Sequence, residues 1–126
     1  MIGLKTILIA DDEANLRTLV HTTLEDPECR ILEASDGNAA LELARREKPD
    51  LVLIDWMMPG MTGIEVMKAL RSDPSTAKVP IIMLTAKGQE KDREQAFKAG
   101  TDFYLVKPFS PLELLKKVRE VLEAVP

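Results

Sequence analysis

Residues 51–60 read LVLIDWMMPG. Leu51, Val52, Leu53 and Ile54 are apolar in succession, without the alternation of a strand that faces water on one side. So short and so apolar a run reads as a strand covered on both faces, as strands of a parallel sheet are. Asp55 closes the run, and Pro59-Gly60 then redirects the chain.

Working outward, the same unit recurs. Thr6–Ala10, Cys29–Ala34, Leu51–Ile54, Ile81–Leu84 and Phe103–Val106 are strand candidates, the central three nearly all apolar, and a segment of helical period follows each. Leu16, Leu19, Val20 and Leu24 give the first helix an apolar face, with Arg17 and Glu25 pointing outward. Leu41 and Ala44 mark the second helix, Met67 and Leu70 the third, and Leu112, Leu115, Val118 and Leu122 the buried stripe of the fifth. Thr62-Gly63-Ile64-Glu65 and Ser110-Pro111-Leu112-Glu113 are capping-box patterns that start the third and fifth helices, and Gly100 ends the fourth. Loops are short and turn at Lys48-Pro49, Pro59-Gly60 and Asp73-Pro74. Right-handed crossovers then give an α/β, doubly wound open sheet, which places ligands at the carboxyl ends of its strands.

The 126 residues suffice for one core, so residues 1–126 are read as a single domain. An apolar fraction of 45% and a charged fraction of 30% exclude a disordered chain. The net charge of −4 and the lack of a basic run argue against direct nucleic-acid binding. Cys29, the only cysteine, has no internal disulfide partner and reads as a buried, reduced thiol in a strand. No apolar stretch approaches the ~20 residues that span a bilayer, and residues 1–5 lack a signal pattern, so the expected location is the cytoplasm, away from membranes.

The chemistry collects at the strand ends. The first strand runs into Asp11-Asp12-Glu13, the third into Asp55, the fourth into Thr85 and the fifth into Lys107. Parallel, adjacent strands bring Asp11, Asp12 and Asp55 into one anionic, oxygen-rich pocket, suited to a hard cation such as Mg²⁺ that retains waters for a phosphate to replace. A carboxylate beside such a cation can act as nucleophile towards a phosphoryl group, and Asp55 is the candidate. Lys107 and Thr85 supply a charge and a hydroxyl for the phosphoryl oxygens. Each residue alone has a plainer reading: Asp12 and Glu13 as helix-capping acids, Thr85 as a strand end, Lys107 as a solvated charge.

Together, Asp11-Asp12-Glu13, Asp55-Trp56-Met57-Met58-Pro59-Gly60, Leu84-Thr85-Ala86 and Lys107-Pro108-Phe109 resemble the motifs of the response-regulator receiver domains of two-component signal transduction, over essentially the whole chain. The resemblance implies a (βα)5 flavodoxin-like sandwich with parallel strand order 2-1-3-4-5. It implies that Asp55 accepts a phosphoryl group from a sensor histidine kinase, a phosphotransfer protein or a small donor such as acetyl phosphate. Mg²⁺, or Mn²⁺, is then bound by Asp12 and Asp55, by Asp11 through water and by the Met57 main-chain carbonyl. Thr85 and Lys107 engage the phosphoryl oxygens, the Lys107-Pro108 peptide is cis, and Tyr104 is the switch aromatic. Phosphorylation is expected to reshape the face of the fourth helix, fifth strand and fifth helix. That face would bind a downstream target, a fused effector domain or a second copy. The chain itself carries no effector domain, which leaves open a stand-alone regulator or an excised receiver. Met57 and Lys87 stand where family members tune phosphoryl loss. Because Met57 has no group to orient water, a long-lived aspartyl phosphate is expected.

Competing classes fare worse. In a flavodoxin-like electron carrier, Asp11-Asp12-Glu13 would repel a flavin phosphate. A haloacid-dehalogenase-like phosphatase or phosphotransferase shares the Asp, Mg²⁺ and Lys but needs a second acid where Met57 stands. A pseudo-receiver used only for docking has no need of the acids, Thr85 and Lys107. His21 reads as a helix residue rather than a phosphotransfer histidine.

Overall fold

The structure is a computed structural model that describes residues 4–124. Strand and helix alternate throughout: β1 (Lys5–Ala10), α1 (Ala14–Leu24), β2 (Cys29–Ala34), α2 (Gly37–Glu47), β3 (Leu51–Ile54), α3 (Gly63–Ser72), β4 (Ile81–Thr85), α4 (Glu90–Ala99), β5 (Phe103–Val106) and α5 (Pro111–Ala124). All neighbouring strands pair in parallel, in the order β2-β1-β3-β4-β5.

The apolar runs of β1, β3 and β4 sit in the middle of the sheet because their alternate residues feed two separate cores. Leu8, Val52, Ile54, Ile81 and Met83 face α2, α3 and α4, where Ala40, Ala44, Val66, Met67, Leu70 and Ala96 close the layer. Ile7, Ile9, Leu51, Leu53, Ile82 and Leu84 face α1 and α5 through Val20, Leu24, Leu114, Val118 and Val121. Each such fully buried Leu, Ile or Val is worth about 1.5–3 kcal/mol, so both faces of the sheet contribute heavily.

Helix starts follow local chemistry. Thr62 and Glu65 form both halves of the capping box of α3, at 3.2 and 2.9 Å, whereas at α5 the Glu113 N–H donates to Ser110 Oγ at 3.3 Å. Gly100 ends α4 at φ +119°, a left-handed conformation that glycine adopts without Cβ strain.

Three expectations about faces need correction. Leu19 and Leu112 are exposed at 47% and 71%, and the inward line of α5 is Leu114, Val118 and Val121, with Leu115 and Leu122 only partly buried. Both helices carry leucines on adjacent stripes, and only the direction of the sheet selects one. Arg17 does not point outward but turns towards the sheet, where it donates to the Asp11 carbonyl and to Glu33. Cys29 is half-buried rather than buried, because β2 is an edge strand. Burial nonetheless pushes its thiol pKa up, with the acids Asp26, Glu28 and Asp50 adding to the effect.

Candidate functional site

Sheet register builds the site. Ala10 pairs with both Ala34 and Ile54, so the residues that follow, Asp11 and Asp55, leave the sheet side by side. The ladder extends one bond further on each side: the Asp55 N–H donates to the Ala10 carbonyl at 2.9 Å, and that of Asp11 to Ala34 at 3.1 Å. At the other end, Thr85 pairs with Val106, and the Lys107 N–H donates to the Thr85 carbonyl at 2.8 Å. The four strand ends thus deliver two acids, a hydroxyl and an ammonium to one edge.

Carboxylate oxygens of Asp11, Asp12 and Asp55 lie within 4.8 Å of one another. Asp11 and Asp55 are buried, at 4% and 8% exposure, while Asp12 faces solvent. Lys107 reaches between the buried pair, its Nζ donating to Asp11 Oδ2 at 2.8 Å and to Asp55 Oδ2 at 2.7 Å. The remaining oxygens are held by the backbone: Asp55 Oδ1 accepts from the Trp56 N–H at 2.7 Å, and Asp11 Oδ1 from the Glu13 N–H at 2.8 Å.

One ammonium cannot neutralise three carboxylates, so the pocket keeps an excess of negative charge. Burial pushes Asp55 above the ordinary carboxylate value, the Lys107 hydrogen bond and charge pull it back, and Asp11 adds to the rise. Burial lowers Lys107, but hydrogen bonds to Asp11 and Asp55 outweigh it and leave the ammonium harder to deprotonate than usual. Hard oxygen donors with surplus charge, close enough to share one ion, fit a small divalent cation.

Thr85 is buried, and its Oγ1 accepts from the Lys87 N–H at 3.3 Å. Tyr104, also buried, donates its hydroxyl to the Lys87 carbonyl at 2.6 Å, so Thr85 and Tyr104 meet through the Lys87 main chain. The Lys87 ammonium in turn stands over the Trp56 ring, 5.1 Å from its centre, which ties the loop after β4 to the residue following Asp55. Lys107-Pro108 is a cis peptide. Met57 is 58% exposed, and a thioether offers no acid to a leaving group, which removes the basis of the phosphatase alternative.

Two further positions matter that strand-end reasoning did not single out. Gly63 opens α3 directly under the pocket: a Cβ there would sit 2.2 Å from the Asp55 carbonyl oxygen, and its N–H donates to the Trp56 carbonyl at 2.7 Å. Only glycine permits that approach. Arg17 donates through Nη1 to the Asp11 carbonyl at 2.7 Å and through Nε to Glu33 Oε1 at 3.2 Å. A cation less than two helical turns past an acidic strand end was the available signal. His21 lies on α1 with Nδ1 2.7 Å from Glu33 Oε2, outside the pocket.

Comparison with known proteins assigns the family: the one described as the response regulator receiver domain matches residues 7–119. The chain belongs to the response-regulator receiver family. The receiver is 47% identical over 122 residues to the phosphate regulon transcriptional regulatory protein PhoB of Pseudomonas aeruginosa, covering 97% of this chain and 53% of that protein. It is 48% identical over 116 residues to the transcriptional regulatory protein ResD of Bacillus subtilis, covering 92% of this chain and 47% of that one. The receiver therefore spans about half the length of these curated relatives. Among solved structures it resembles the Francisella response regulator 1452 receiver domain at a TM-score of 0.89 and 33% identity, covering 97% of this chain and 99% of that one. It likewise resembles the Vibrio cholerae chemotaxis protein CheY4 at a TM-score of 0.88 and 35% identity, covering 95% and 100%. The flavodoxin-like fold and strand order are those expected, and the receiver is a signalling module whose family is phosphorylated on aspartate. Among the described residues, no helix is long and apolar enough to cross a membrane.

Proposed function

We propose that Asp55 is the phosphoacceptor, in a reaction that requires Mg²⁺ or Mn²⁺. The observation that carries this reading is the convergence of Asp11, Asp12 and Asp55 around a single Lys107 ammonium. Asp11, Asp12, Asp55 and the Met57 carbonyl would hold the cation, which neutralises charge on the phosphoryl group during transfer. An Asp55 carboxylate oxygen forms the new bond to phosphorus as the donor's bond breaks and its electrons leave with the departing group, phosphohistidine nitrogen or acetate. Lys107 and the Thr85 hydroxyl meet the phosphoryl oxygens in place of their present partners.

The same contacts suggest the output. When Thr85 turns to the phosphoryl group it releases the Lys87 N–H, and the loop that also accepts from Tyr104 is free to rearrange. The population then shifts in favour of a different α4-β5-α5 face. That face binds a downstream target, a fused effector domain or a second copy of the receiver, and the relatives' names support a transcriptional output. The phosphodonor is a sensor histidine kinase, a phosphotransfer protein or acetyl phosphate, and the working compartment is the cytoplasm. The domain itself binds neither nucleic acid nor membrane. It catalyses only its own phosphorylation and dephosphorylation, the latter slowly, since neither Met57 nor Lys87 offers an amide or carboxylate to orient water.

Intact mass after incubation with acetyl phosphate, with Mg²⁺ or with chelator, tests the acceptor. The expected result is one phosphoryl group gained only with Mg²⁺ and absent in Asp55→Asn; an adduct that survives in Asp55→Asn overturns it.

A further inference from the structure

Asp11 is fixed from four directions. Its N–H donates to Ala34 at 3.1 Å, Oδ1 accepts from the Glu13 N–H at 2.8 Å, Oδ2 accepts from Lys107 at 2.8 Å, and its carbonyl accepts from Arg17 at 2.7 Å. The first three belong to the sheet, the loop and the pocket. The fourth comes from α1, on the far side of the acidic run. Its effect is specific, because the Asp11 carbonyl and the Asp12 N–H share one rigid peptide plane. Whatever holds that carbonyl sets the angle at which both acids leave the strand.

Arg17 is itself held. Its guanidinium spends Nη1 on Asp11 and Nε on Glu33, and the other oxygen of Glu33 lies 2.7 Å from His21 Nδ1. The Arg17 side chain is 18% exposed, so this fork is sheltered rather than splayed into solvent. β2 therefore braces α1, and α1 braces the peptide between the two acids.

We propose that Arg17 is a positioning residue for divalent-cation binding, orienting Asp11 and Asp12 through their shared peptide plane while Glu33 holds the guanidinium. The proposal rests on Asp11, Asp12 and Asp55 forming a cation site. Charge and geometry make opposite predictions here. A guanidinium near the site repels a cation, so if charge alone mattered, removing it would tighten binding. If it orients the acids, removing it loosens binding.

Mg²⁺ titration by calorimetry on the native protein, Arg17→Gln and Arg17→Lys separates the two. Lysine keeps the charge but lacks the planar fork that serves Asp11 and Glu33 together. The expected result is a dissociation constant raised ~10-fold in both variants, the scale on which groups that orient metal ligands act. Unchanged or tighter binding in Arg17→Gln, or native affinity in Arg17→Lys, overturns the proposal. With acetyl phosphate as donor, the Mg²⁺ needed for half-maximal phosphorylation should rise by the same factor while the rate at saturating Mg²⁺ stays within about twofold. A fall in the saturating rate alone overturns it. Should Arg17→Gln fail to fold, Glu33→Ala releases the guanidinium from the strand side, and weaker Mg²⁺ binding is again expected, native affinity being the contrary result. If the native protein takes up no Mg²⁺, the cation site itself is wrong; if it does and the variants match it, only the role of Arg17 falls.

Discussion

At the amino edge of the sheet, Asp50 accepts the Thr6 N–H at 2.8 Å, and Asp102 accepts that of Ile81 at 2.8 Å together with Arg71 Nη2 at 3.1 Å. At the carboxyl edge, Asp11 and Asp55 share the ammonium of Lys107, with Asp12 alongside. Each of these acids, Asp12 aside, accepts a backbone amide of its own, but Asp50 and Asp102 share no cation with each other, and Arg71 adds hydrogen bonds to the carbonyls of Gly100, Ala77 and Val79. Polar groups satisfied one by one clamp the chain and are finished. Acids that must share one cation keep surplus charge, and surplus charge is available for chemistry. Which edge an acid occupies matters less than whether it must share its cation.

The hardest test of that contrast is Arg71→Met. It strips three carbonyls and Asp102 of a donor, so stability should fall by about 3 kcal/mol in urea unfolding, with Mg²⁺ affinity of the folded protein unchanged. Weakened Mg²⁺ binding would mean that the two edges are coupled.

Lys107→Met should behave in the opposite way, lowering the rate of phosphorylation by acetyl phosphate ~100-fold while the fold persists. Its pH dependence carries a definite sign. The folded pKa of Lys107 is raised above 10.5, so its contribution to stability is complete below that value and is lost as pH rises through the folded pKa. Without metal, native stability should therefore decline towards that of Lys107→Met in urea unfolding above pH 10.5, and parallel curves would contradict the ion-pair account.

Gly63→Ala tests how tightly the site depends on its floor. A Cβ 2.2 Å from the Asp55 carbonyl forces α3 and the end of β3 apart, so stability should drop by about 2 kcal/mol and phosphorylation slow with it. The smallest effect sharpens the comparison most. Asp36 stands beyond β2 at the carboxyl edge, yet its Oδ1 has a private donor, the Ala39 N–H at 2.8 Å. Asp36→Ala should cost ~1 kcal/mol as a lost helix cap and leave Mg²⁺ affinity untouched, although it removes an acid from the same edge of the sheet.

Much of this was legible from residue order. LVLI at 51–54 announced a strand buried on both faces, and the four acids, the hydroxyl and the ammonium at the strand ends announced where to look. Spacing alone did not choose between adjacent leucine stripes, so Leu19 and Leu112 were misassigned to the core. Nor did it show that Arg17, placed by helical period on an outward face, turns back to the Asp11 carbonyl.

Sequence by itself determined the element order, the apolar centre of the sheet and the residue types at each strand end, because these depend on local periodicity and on side-chain chemistry. Tertiary structure decided which groups share a partner. Register set Asp11 beside Asp55, the sheet direction chose the buried stripe of each helix, and the closeness of α3 made Gly63 indispensable. Those are relations between segments distant in the chain, and no single segment carries them.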